Sequence, residues 1–180
     1  MSKVWIGLFR GVNVGGRKMA MKHLIAALEA AGLQDVRTYI QSGNFLFRSA
    51  LSEKDLERLI DGVVEKTFGY HSNLHLLTLS HLETVLKDNP YRDREHTGKA
   101  QHVFFFKAPP SHVDRELMDS LKADSEAYEI TDELMYLYAP DGIGRSKLVE
   151  KIAKAIKADM TARNLNTVET LRDMAAELSA

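Results

Sequence analysis

Val4 to Phe9 is an uninterrupted apolar run of β-forming residues, closed by Lys3 on one side and Arg10 on the other. A run this short and this apolar reads as a strand buried on both faces. Side chains alternate along a strand, so Trp5 and Phe9 point one way and Val4, Ile6 and Leu8 the other. His102 to Lys107, with Phe104, Phe105 and Phe106, has the same character. Such strands exclude a sheet with one face open to water. Something must cover the second face: the other half of the chain, the C-terminal helix or another subunit.

The segments between these strands supply the rest of the pattern. Met21, Leu24, Ile25, Leu28 and Ala31 follow helical spacing, and Gly32 supplies a stop. Val36 to Gln41 and Asn44 to Arg48 read as a hairpin about Ser42-Gly43. Ser52 reads as the cap of a helix with Leu56, Leu59, Ile60 and Val63, ending near Gly69. Leu74 to Leu79 is the next strand. Ser80 with Glu83 reads as a capping box for a short connecting helix, stopped by Asn89-Pro90. The charged stretch from 91 to 101 reads as a linker.

The order then recurs. After the strand at His102 to Lys107, Ser111 reads as the cap of a helix with Val113, Leu117, Met118 and Leu121. Ala127 to Thr131 and Leu134 to Tyr138 form a second hairpin, and Leu148, Ile152 and Ile156 mark another helix. Met160 to Leu165 is the one candidate for a closing strand. A final helix, capped at Asn166 with Glu169 at the capping-box position, carries Val168, Leu171, Met174 and Leu178. Each half reads β-α-β-β-α-β, so the expected class is α+β: tandem ferredoxin-like plaits with antiparallel sheets and an extra C-terminal helix. The expected boundaries are 1–79 for the first half, 80–101 for the connecting helix and linker, 102–160 for the second half, and 161–180 for the capped helix.

Composition narrows the function classes. With 180 residues, the chain is long enough to bury a core without covalent staples. Lys plus Arg is 24 against 25 Asp plus Glu, a net charge of −1. That balance opposes broad non-specific nucleic-acid binding, which needs a positive field. The chain has 0 Cys, which removes disulfides, thiolate nucleophiles and Cys-ligated zinc together. No apolar run reaches the ~18 residues of a membrane span, and the N-terminus lacks a signal-peptide pattern. A soluble, cytoplasmic protein is expected.

Four stretches carry polar chemistry. Arg10-Gly11-Val12-Asn13-Val14-Gly15-Gly16-Arg17-Lys18 combines glycines, which permit close ligand approach, with three cations ahead of a helix N-terminus. It suits a phosphate or a carboxylate. It is not a nucleotide P-loop, because Arg17 and Lys18 stand where that loop needs Lys and Ser/Thr. Gln41-Ser42-Gly43-Asn44 is a tight turn in its own right. In a β-α-β-β-α-β plait the first two strands run in the same direction. This turn and the Arg10 to Lys18 loop should therefore meet at one sheet edge. Gln41 and Asn44 then either touch a ligand or hold the loop's shape. Gly142 to Lys147 opens a helix with Arg145 and Ser146, in a stretch where cations outnumber anions. Thr161 to Thr167 adds Arg163, which either pairs with an acid or joins the site.

The segments F-R-G-V-N-V-G-G-R-K (Phe9 to Lys18), T-Y-I-Q-S-G-N-F-L-F (Thr38 to Phe47), G-R-S-K-L (Gly144 to Leu148) and T-A-R-N-L-N-T-V (Thr161 to Val168) resemble, in order and over nearly the whole chain, the bacterial family called domain of unknown function 1697. The resemblance implies a duplicated plait of about this length. It implies no activity.

The expected function is binding of a small anionic ligand by Arg10, Asn13, Lys18, Gln41, Ser42 and Asn44, with Arg145, Ser146 and Arg163 from the second half. Catalytic residues and cofactor are not specified by the sequence. The 7 His are scattered, with no metal-ligand spacing. A competing class is RNA or single-stranded nucleic-acid binding on a sheet, because Phe45 and Phe47 share one strand face, as base-stacking residues do. The missing lead-in motif, the charge balance and the doubly apolar first strand disfavour it. A third class is a self-associating structural module.

Overall fold

The computed structural model describes residues 1–94 and 97–180. It has a mixed α+β fold in which every strand pairing is antiparallel. The chain divides into two compact units: Met1–Thr84 with Thr170–Ala180, and Val85–Glu169.

The first unit runs β1 (Lys3–Phe9), α1 (Met21–Ala30), β2 (Gln34–Tyr39), β3 (Asn44–Ser49), α2 (Glu53–Phe68) and β4 (Leu74–Thr78), followed by the start of α3 (Leu79–Lys87). The strands lie in the order β2-β3-β1-β4. Every residue of β1 after Lys3 is buried, as a doubly apolar strand requires. On one face Trp5 is opposite Phe47, Gly7 opposite Phe45 and Phe9 opposite Leu74. Phe9 stacks on Phe45 at 4.8 Å between centroids, and Phe45 on Phe47 at 5.7 Å. Leu24 and Leu28 of α1 and Leu56, Ile60 and Val64 of α2 close this core. A Cβ at Gly7 would sit 2.2 Å from the Phe45 ring, so the stack needs a glycine there.

The opposite face carries Ile6, Leu8 and Leu46, all buried. Arg37 and Arg48 are on this side as well. Arg37 bonds Glu177 at 3.2 Å, and Arg48 donates to the Leu178 carbonyl. The C-terminal helix thus lies against this face, which is one of the covers the sequence demanded.

The second unit contains the 3-10 turn Gly98–Ala100, β5 (Gln101–Phe106), β6 (His112–Val113), α4 (Arg115–Leu121), β7 (Ala127–Ile130), β8 (Leu134–Tyr138), α5 (Lys147–Glu150), α6 (Ile152–Ala155), β9 (Ile156–Lys157) and β10 (Met160–Asn164); α7 (Leu165–Ser179) begins in it. Its main sheet is ordered β10-β5-β8-β7. Phe104, Phe106, Met135, Leu137 and Met160 pack with Met118, Leu148 and Ile156. Tyr136 donates its hydroxyl to the Val85 carbonyl at 2.8 Å.

Several local expectations change. The closing strand is Met160–Asn164, paired with β5, so the C-terminal helix begins at Leu165 and not at 161. Its cap is Asn164, whose Oδ1 accepts from the Thr167 amide at 2.9 Å; Asn166 instead lies against Gly98. The α3 cap is Thr78, which accepts from the His81 amide at 3.3 Å, not Ser80. Asp114, not Ser111, caps α4. The helix expected through Leu148, Ile152 and Ile156 breaks at Lys151, because Ile156 pairs with Val113 in a two-stranded ribbon. The linker expected over 91–101 includes residues 95 and 96, which lie outside the described residues.

Candidate functional site

Because β1 and β2 both run antiparallel to β3, they point the same way, and their following loops leave the sheet at one edge. Two bonds tie those loops together. The Phe9 amide donates to the Gly43 carbonyl at 2.9 Å, and Asn13 Nδ2 donates to the Gln41 carbonyl at 2.7 Å. Gly43 has φ +82, and a Cβ there would meet Val12 at 2.6 Å and Phe9 at 2.9 Å. Only glycine meets both demands. The expected meeting of Arg10 to Lys18 with Gln41 to Asn44 is therefore present.

A third segment joins them. β4 starts where β1 ends, and the Arg10 amide donates to the Asn73 carbonyl at 2.9 Å. The Tyr70 hydroxyl reaches the Lys18 carbonyl at 3.4 Å, and the Arg17 guanidinium sits 5.7 Å from the Tyr70 ring. Next to Tyr70, His71 Nδ1 is 3.0 Å from Asp61 Oδ2 and its Nε2 is 3.6 Å from Glu65. The Asp61 hydrogen bond, helped by the Glu65 charge, raises the His71 pKa. Partial burial pulls the Asp61 carboxyl upward, but the hydrogen bonds from His71 and from the Ser72 amide and hydroxyl outweigh it, and the net shift is down. Sequence reasoning missed this segment. The signal was available, since β4 antiparallel to β1 brings its start to the same edge.

The residues expected at the site divide by role. Arg10, Lys18, Gln41 and Ser42 are exposed, as is Arg17. Asn13 is exposed, but its amide works within the loop: Oδ1 accepts from the Met19 amide at 2.8 Å, while Nδ2 donates to Met19 and Gln41 carbonyls. Asn44 is 0% exposed, and its Nδ2 donates to the Tyr39 carbonyl at 3.1 Å and to Ser42 Oγ at 2.8 Å. Direct ligand contact by Asn44 is corrected to scaffolding, because a fully buried amide has no surface to offer.

Arg145, Ser146 and Arg163 belong to the second unit. Arg145 is exposed. Ser146 is buried and caps α5, accepting from the Val149 amide at 3.2 Å. Arg163 is buried and donates to Thr161 Oγ1 at 2.7 Å and to the Ala162 carbonyl at 2.8 Å. Burial lowers its pKa to about 10, which leaves it charged. Both side chains are engaged inside the unit.

Phe45 and Phe47 are fully buried beneath α1 and α2. The base-stacking surface that nucleic-acid binding would need on β3 is therefore absent. A cavity of about 360 Å³ opens near Ser2, Gly32, Gln34 and Arg48. It lies at the opposite edge of the sheet, where β1 starts, and shares no residue with the loops. Among the described residues no helix is long and apolar enough to cross a membrane.

The chain belongs to the family described as "Protein of unknown function (DUF1697)", whose model matches residues 1–136. The solved structure of a conserved bacterial protein from Streptococcus pneumoniae is similar to it, with 22% identity and a TM-score of 0.75, covering 97% of this chain and 99% of that one. At that identity the likeness speaks for the fold alone. No curated protein matches the chain.

Proposed function

We propose that the first unit binds a small anion, phosphate- or carboxylate-bearing, at the rim formed by the Arg10 to Lys18 loop and the Gln41 to Ser42 turn, and that each unit is a ferredoxin-like plait. The β-α-β-β-α-β order and the matching strand orders β2-β3-β1-β4 and β7-β8-β5-β10 support the plait reading.

One observation carries the anion reading: three exposed cations are held on a loop whose shape is fixed by Asn13 and whose glycines leave its backbone open. A Cβ on Gly15 or Gly16 would meet nothing within 4 Å. The loop feeds α1, whose first turn has no acidic residue and no side-chain cap, so its leading amides are unmatched by the usual side-chain oxygen. Arg10, Arg17 and Lys18 supply charge, Ser42 a hydroxyl, and Gln41 an amide at the same edge. Asn13 and Asn44 act as positioning residues.

The test is thermal melting of wild type and of the Arg10→Ala, Lys18→Ala double variant, with and without inorganic phosphate. Phosphate should raise the wild-type melting temperature through linkage. The variant should melt where unliganded wild type does and gain nothing from phosphate. A variant that unfolds instead would make the two residues structural and defeat the proposal.

A further inference from the structure

The rim carries a feature that charge does not explain. Val14 is 63% exposed and Ile40 is 53% exposed, large apolar side chains standing in water. Each is one residue from the bond that joins the loops, in which Asn13 Nδ2 donates to the Gln41 carbonyl at 2.7 Å. Ile40 also takes φ +49. A β-branched residue is disfavoured in the left-handed region, where asparagine or glycine fits with less strain. Exposure and strain thus coincide at one side chain, and neither helps the fold. Along the two loop segments themselves the charge is of one sign: residues 10–28 include Arg10, Arg17, Lys18 and Lys22, and neither that stretch nor 40–44 has an Asp or Glu.

We infer that the anion taken at this rim has an apolar body beside its charged group, and that Val14 and Ile40 seat that body while the cations hold the charge. The inference rests on the anion site proposed above and names its ligand class: a small organic phosphate or carboxylate. An extended membrane surface fits less well. Two aliphatic side chains offer the area of a small group, whereas stable attachment to a bilayer takes far more. The carboxylates of Asp61 and Glu65, gathered by His71 on the adjoining segment, also oppose a broad anionic surface.

The test is calorimetric titration of the full chain with inorganic phosphate, methyl phosphate and phenyl phosphate, and with acetate and benzoate as the carboxylate pair. Wild type should bind the aromatic member of at least one pair about ten-fold more tightly than its methyl counterpart, the gain from burying a modest apolar area. The Val14→Ser, Ile40→Asn double variant should lose that preference and keep its affinity for inorganic phosphate. Ile40→Asn alone should raise the melting temperature, since it relieves the strain. Equal binding of methyl and aromatic members, with inorganic phosphate still bound, would overturn this inference and leave the anion site standing. No binding by any of the five would remove the anion site and this inference with it. Two further results would overturn the inference: attachment to phosphatidylserine vesicles that the double variant loses, without discrimination among the small anions, or a fall in melting temperature with Ile40→Asn.

Discussion

Asn13 Nδ2 lies 2.7 Å from the Gln41 carbonyl oxygen, a bond across 28 residues of sequence that fixes one loop of the rim to the other. The same side chain closes the loop on itself through the Met19 amide and carbonyl at 2.8 and 3.1 Å. Asn13 does this from φ +56, a conformation asparagine tolerates better than most residues.

Asn13→Ala should therefore lose three hydrogen bonds and add backbone strain. The expected loss is about 2–3 kcal/mol in urea unfolding, since partly exposed bonds contribute roughly 1 kcal/mol each. Asn13→Gly removes the same bonds without the strain and should be the milder change. Hydrogen exchange at the Met19 amide should speed up in both. Equal stability of Asn13→Ala and wild type would mean the loop is held by something else.

Gly43 sits beneath this tie. Gly43→Ala forces a Cβ within 2.6 Å of Val12 and 2.9 Å of Phe9 at φ +82. Steric overlap and strain together should cost about 2–4 kcal/mol, read as a lower denaturation midpoint. Gly16→Ala, where φ is +88 but the space is open, should cost only the backbone strain. The ranking is the check: Gly43→Ala must be worse.

His71 and Asp61 give stability a pH signature. The His71 pKa is raised in the fold, so its contribution is complete below its unfolded value of 6.5 and is lost as pH climbs through the higher folded value. The Asp61 pKa is lowered, so its contribution is present above its unfolded value of 3.8 and is lost as pH falls through the lower folded value. The pair works best between those limits. His71→Ala should flatten the decline in melting temperature as pH rises above 6.5, and Asp61→Asn should reduce the same decline while also softening the acid limb. An unchanged pH profile in His71→Ala would show that the exposed pair adds nothing measurable.

Strand positions were legible because Val4–Phe9 and Val103–Phe106 are apolar without interruption, a pattern that strands buried on both faces impose. The rim was legible in part from strand directions, which put the loop that follows Phe9 beside the turn at Gly43. Caps were harder. Thr78 and Ser80, or Asn164 and Asn166, offer similar oxygens two residues apart, and local sequence cannot choose between them. The closing strand chose for Asn164, because pairing with β5 runs through that residue. The break at Lys151 was hidden by Leu148, Ile152 and Ile156, which keep helical spacing across it. Tertiary pairing of Ile156 with Val113 overrode that periodicity. His71 looked isolated because its partners Asp61 and Glu65 come from the preceding helix. The conformation of Ile40 left no mark in sequence at all, since nothing local asks an isoleucine to turn left-handed.

The most direct test of the rim is a ¹H–¹⁵N correlation spectrum titrated with inorganic phosphate. The amides of Gly11, Gly15, Gly16 and Met21 should move together along one saturating curve, with Gly32 and Ala50, beside the cavity at the far edge, unmoved. Stationary loop amides through the titration, or shifts confined to Gly32 and Ala50, would contradict an anion site at this rim.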